Sequence, residues 1–132
     1  MAKSKILVMD DEELVRDTAK EMLECTGFDV DVATHGAEAI VKYKNAIDQG
    51  DPFNAIIRDL SVRGGLGGKE TLGELLKSDS GVRAIVSTGN MDDDIVNNYK
   101  SYGFRAAIGK PYNLAELHQT LNITINTGKA IF

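Results

Sequence analysis

Several short apolar runs in this sequence stop at polar residues that could take part in chemistry. Asp10, Asp11 and Glu12 follow Ile6–Met9, Asp59 comes two residues after Ile57, Ser87 and Thr88 follow Ala84–Val86, and Lys110-Pro111 lie just beyond Ala106–Ile108. Carboxylates gathered from two such runs would repel one another unless something cationic lay among them. A hard divalent ion such as Mg²⁺ takes oxygen ligands, keeps several waters and needs only one or two carboxylates. A hydroxyl at Thr88 and an ammonium at Lys110 suit a phosphoryl group, whose equatorial oxygens need a donor and a positive charge. A carboxylate can itself be the nucleophile in such a site and form an aspartyl phosphate.

Each residue also has an ordinary role open to it. Asp11, Glu12 and Glu13 could be first-turn acids that favour a helix dipole, and Asp59 could be a turn residue. Thr88 could be a loop hydroxyl and Lys110 a solvated amine. What weighs against the ordinary roles is that all of them would have to fall by chance on one rim.

That rim follows from the order of elements. Lys5–Met9 predicts a buried strand, and residues 12–25 a helix with Leu14, Val15, Thr18, Ala19, Met22 and Leu23 on one face. Gly27 is placed to terminate that helix. Residues 28–33 alternate apolar and polar, as in a half-exposed edge strand. The pattern continues with a helix over 37–47, a strand over 53–57, a glycine-rich loop, and a helix over 69–77. Strands over 82–86 and 105–108 and helices over 92–101 and 114–121 complete it. A five-fold βα alternation calls for a parallel sheet covered by helices on both faces. In such open sheets ligands sit beyond the carboxyl ends of the strands, where the candidate residues lie.

Composition narrows the class. The 132 residues carry a net charge of −5 and no two adjacent basic residues, a poor match for nucleic acid or anionic membrane. The longest apolar run is far below the ~20 residues needed to span a bilayer. Cys25 is the single cysteine, which fits a reducing, cytoplasmic setting.

The tokens ILVMDDEE, IIRDL, STG and GKPY, in this order and spacing, resemble the receiver domain of two-component signalling. The resemblance runs from about Lys5 to Asn122 and treats residues 1–132 as one receiver domain with a tail from Ile123. It implies a doubly wound five-stranded sheet in the order 2-1-3-4-5 and phosphoryl transfer from a histidine kinase or histidine phosphotransfer domain. Residue by residue, Asp59 matches the phosphoacceptor. Asp10, Asp11, Asp59 and the backbone carbonyl of Ser61 match the ligands of Mg²⁺ (or Mn²⁺). Thr88 and Lys110 match the hydroxyl and the lysine that follow the phosphoryl group, and the Lys110–Pro111 bond is expected to be cis. No direct contact with nucleic acid or membrane is implied, and the expected state is a monomer or weak dimer.

Some positions depart from the family pattern. Ala107 stands where many receivers carry the aromatic that swings inward on phosphorylation. Arg63 replaces a common proline, Gly64, Gly65, Gly67 and Gly68 loosen the same loop, and Arg58 precedes the phosphoacceptor on a strand expected to be buried. The glycine-rich loop and the STGN and KPYNL contexts resemble receivers of hybrid sensor kinases. A stand-alone regulator and a degenerate, binding-only receiver are the alternatives. A P-loop fails on spacing, since Arg63 falls where its first glycine is required and Glu70 replaces the Ser/Thr. A flavodoxin-type phosphate loop cannot be four consecutive acids. His35 and His118 have no metal partners at ligand spacing, Asp92–Asp94 read as first-turn helix acids, Cys25 as a small buried hydrophobe and Tyr112 as packing.

Overall fold

The computed structural model describes residues 4–59, 73–77, 79, 81–89 and 97–126. Five strands, β1 (Lys5–Met9), β2 (Asp29–Ala33), β3 (Ala55–Asp59), β4 (Ala84–Thr88) and β5 (Ala106–Gly109), form one parallel sheet in the order β2-β1-β3-β4-β5. Helices α1 (Glu13–Cys25), α2 (Gly36–Asp48) and α3 (Leu114–Asn126) pack on it, with a short helical stretch at 73–77 and a 3₁₀ turn at Tyr99–Tyr102. The expected strand order is the observed one.

Residues of β3 and β4 are buried throughout, so Ala55–Ile57 and Ala84–Val86 read as continuous apolar runs rather than alternating ones. Alternate side chains then feed two cores. Leu7, Met9, Ile56 and Val86 meet Tyr43 of α2, Leu75 and Phe104 on one face. Ile6, Val8, Ile57, Ile85 and Ile108 meet Ala19 and Leu23 of α1 and Leu117 and Leu121 of α3 on the other. Tyr43 also donates a 2.7 Å hydrogen bond to Asp79, tying α2 to the turn before β4. Burial, and then the Asp79 carboxylate, push that phenol well above its ordinary pKa.

Local signals act where expected at the end of α1. Gly27 has φ 96°, and Gly27 N–H and Phe28 N–H donate to Glu24 and Leu23 carbonyls. This is a Schellman closure, which needs a left-handed residue at that point.

The structure corrects several expectations. Leu14 is 79% exposed and Thr18 also faces out, so the inward stripe of α1 is narrower than its apolar spacing suggests. Cys25 is exposed rather than buried, because it lies two residues, about 200° of helical rotation, beyond the inward Leu23. β3 and β4 begin two residues later than expected, which brings Asp59, Ser87 and Thr88 into the strands themselves. The last residues of the expected 92–101 helix fall in a 3₁₀ turn, Tyr99–Tyr102, closed by Gly103 at φ 94°. α3 runs past Leu121, because Thr124 and Ile125 also face the core. Ser61, Arg63, Gly64–Gly68, Asn90 and Asp92–Asp94 lie outside the described residues.

Candidate functional site at the carboxyl edge of the sheet

The parallel register delivers the candidate residues to one edge. Asp59 closes β3 opposite Ser87 of β4, and Asp10 follows β1, its N–H donating to Ala33 O of β2. Asp10 and Asp59 are both fully buried. Lys110 comes over from the end of β5, and its ammonium lies 2.6 Å from Asp10 Oδ2 and 3.0 Å from Asp59 Oδ1. One cation therefore bridges two acids from different strands, among the described residues the closest packing of opposite charge in the molecule.

Backbone contacts hold this arrangement. Asp10 Oδ1 accepts from Glu12 N–H at 2.9 Å, turning the chain into α1, while Arg16 donates to the Asp10 carbonyl at 2.9 Å. Lys110 N–H donates to Thr88 O at 2.9 Å, and the Lys110–Pro111 bond is cis, as expected. Thr88 itself is buried at the end of β4.

The electrostatics follow from burial and pairing. Burial pushes the Asp10 carboxyl above its ordinary pKa, although the Lys110 and Glu12 hydrogen bonds pull the other way. For Lys110, burial alone would lower the pKa. The bonds to Asp10 and Asp59 outweigh it and hold the ammonium above its ordinary value.

The donor set suits a hard cation. Carboxylate oxygens of Asp10, Asp11 and Glu12 lie within 4.8 Å of one another, Asp10 buried and the other two exposed. An all-oxygen group, part buried and part open to water, is what a magnesium-sized ion that retains waters requires. Glu12 joins this cluster although sequence reasoning left it out of the ligand set.

Other residues were harder to foresee. Arg58 is 2% exposed, and its guanidinium donates to the Asp59 carbonyl at the end of its own strand. His35 caps α2, accepting from Glu38 N–H, and His118 packs on the Phe28 ring. Tyr112 does pack on the α1/α3 core, but its hydroxyl also donates to Ser87 Oγ at 3.0 Å. No spacing rule signals that pair, since the two residues are 25 positions apart.

A profile of the response regulator receiver domain matches residues 6–122. The chain belongs to the response regulator receiver family. A response regulator receiver protein of Anaeromyxobacter is 29% identical over 107 residues, which are 81% of this chain and 42% of that protein. The receiver thus spans about two-fifths of the length of that relative. Among solved structures, a CheY-like receiver domain protein from Methanospirillum hungatei superposes with TM-score 0.81, 26% identity and 95% coverage of both chains. The receiver domain of the Pseudomonas aeruginosa sensor histidine kinase PA1611, solved with a magnesium ion in its active-site cleft, gives TM-score 0.82 at 23% identity, covering 96% of this chain and all of that one. Among the described residues no helix is long and apolar enough to cross a membrane.

Proposed function

We propose that Asp59 is the phosphoacceptor of a two-component relay, taking a phosphoryl group from a phosphohistidine on a histidine kinase or phosphotransfer domain. The observation that carries this is the bridge of Lys110 to Asp59 and Asp10 at the carboxyl edge of a receiver sheet. A carboxylate oxygen of Asp59 forms the new P–O bond in line with the breaking P–N bond. With the donor ring protonated on its other nitrogen, the bonding pair returns to the ring and a neutral imidazole leaves, so charge balances.

Lys110 holds the nucleophile in place and offsets charge on the arriving oxygens, while Thr88, at the end of β4, supplies a hydroxyl. Asp10, Asp11 and Asp59, with the Ser61 carbonyl, would hold Mg²⁺. When bound, that ion supplies charge neutralisation of the transferring phosphoryl group. Support for the metal comes from the cluster of Asp10, Asp11 and Glu12 carboxylates, which holds two members of that set, and from the magnesium of the Pseudomonas receiver. The phosphorylated carboxyl gains about one further negative charge, which drives the switch. With Ala107 in the aromatic position, the readout passes through residues 90–94 and the segment after them. Hydrogen exchange unchanged there on phosphorylation would count against that route.

We further read the chain as one receiver domain of a hybrid sensor kinase in the cytoplasm, on the GGLGG, STGN and KPYNL contexts. The flanking coding sequence decides between this and a stand-alone regulator. The phosphoacceptor assignment is tested by incubating the protein with acetyl phosphate and Mg²⁺ and mapping the modification. Base-labile, hydroxylamine-sensitive phosphate on Asp59 is expected, absent in Asp59→Asn. A wild-type protein that takes no phosphate, or an Asp59→Asn variant that is still labelled, defeats the assignment.

A further inference from the structure

Lys110 has a long side chain, and its ammonium reaches two buried acids only if the backbone that carries it is held still. Lysine loses up to about 2 kcal/mol of rotamer entropy on being fixed, so an unanchored lysine would spend its time elsewhere. Two contacts anchor its segment to β4. Lys110 N–H bonds to Thr88 O, and two residues later the Tyr112 hydroxyl bonds to Ser87 Oγ. Ser87 is fully buried, and its strand position pairs with Asp59 on one side and Ile108 on the other. The Tyr112 bond thus ties the lysine segment to the residue beside the candidate nucleophile.

We infer that the Tyr112–Ser87 hydroxyl pair is a positioning device that fixes where the Lys110 ammonium lies relative to Asp59. This rests on the phosphoacceptor reading above only for its effect on rate. The ring of Tyr112 already packs on the α1/α3 core and borders a groove lined by Leu14, Val15 and Thr18. Packing therefore asks only for an aromatic ring. A buried hydroxyl pair adds little net stability over a matched apolar pair, whereas it does impose direction and distance. Burial pushes the Tyr112 phenol up to about 12, so it remains a neutral donor across the working range.

The test combines rate, coupling and a direct view of the ammonium. Tyr112→Phe, and separately Tyr112→Phe with Ser87→Ala, are compared with wild type in acetyl phosphate and Mg²⁺. The double variant leaves no orphaned hydroxyl and is expected to unfold near the wild-type midpoint. Both should phosphorylate about three- to tenfold more slowly, the rate equivalent of one neutral hydrogen bond. In a Lys110→Met background the same changes should have no further effect, since the effect runs through that ammonium. In ¹H–¹⁵N spectra the slowly exchanging Lys110 Nζ signal of the wild type should broaden or vanish in both variants. Unchanged rates, equal slowing in the Lys110→Met background, or a Lys110 signal that persists in both variants would each overturn the inference. A wild type that takes no phosphate would instead sink the phosphoacceptor assignment, and the Nζ signal would still decide whether the hydroxyl pair holds Lys110.

Discussion

At the scale of single residues, Asp10, Asp59 and Lys110 place two carboxylates against one ammonium with almost no water to share the excess. Charges removed from water are stabilised only by good pairing, and removing one partner strands the others. Lys110→Met should therefore lower stability in EDTA by about 3 kcal/mol, measured by urea unfolding, because it strands both acids. Asp59→Asn should instead leave stability equal or higher, since one acid then faces one ammonium. The reverse order would mean that the lysine bridge is not the dominant local interaction. Asp10, Asp59, Thr88 and Lys110 were each legible as polar residues closing apolar runs. The shared ammonium was not, because which acids a lysine touches depends on sheet order and not on sequence distance. The Ser87–Tyr112 pair was illegible for a related reason: the two hydroxyls meet only through tertiary packing.

At the scale of elements, the start of α2 carries the most testable local chemistry. Glu38 Oε1 accepts from both Thr34 N–H and the Thr34 hydroxyl, while Glu38 N–H donates to His35 Nδ1. The result is a reciprocal cap shifted by one residue from the usual Ser/Thr pattern, with His35 in the cap position. The Thr34 backbone bond outweighs the opposing effect of burial and, with the Thr34 hydroxyl, holds the Glu38 carboxyl below its ordinary pKa of 4.5. A depressed carboxyl stabilises the native state above the unfolded pKa, and that contribution is lost as pH falls through the native value. Wild type should thus exceed Glu38→Gln in stability at pH 7, and the gap should close well below pH 4.5. Because the side chain is partly exposed, solvent screening limits the gap to about 0.5 kcal/mol. Paired thermal melts at the two pH values check it, and a gap that widens in acid would refute the cap. Gly27 was readable in advance, because a left-handed closure favours glycine. The histidine cap was not, since a histidine has many other uses.

At the scale of the whole molecule, β1, β3 and β4 lie inside the sheet with a core on each face, whereas β2 and β5 are its edges. Local opening costs most where backbone bonds are flanked by other strands and covered on both sides. Native-state hydrogen exchange should therefore find the slowest amides in Ile6–Met9, Ile56–Asp59 and Ile85–Thr88, with those of β2 and β5 faster. Slowest exchange in an edge strand would contradict the two-core architecture. The same arrangement explains how a cluster of charged residues is carried without interrupting the core. The acids occupy the last strand positions and the turn beyond, where the buried apolar runs have ended.

The alternation of short apolar runs with helical periodicity determined the α/β class, and the residues ending each run marked the chemical edge, because both depend on local period and order. The family tokens extended this to strand order, which the sheet bears out. Only the tertiary structure decided that Leu14, Thr18 and Cys25 face outward, since helix exposure depends on the angle at which α1 meets the sheet. It alone brought Lys110 between Asp10 and Asp59, and Tyr112 onto Ser87. Those contacts join residues brought together by the parallel register of the strands, and no pairwise spacing in the chain encodes them.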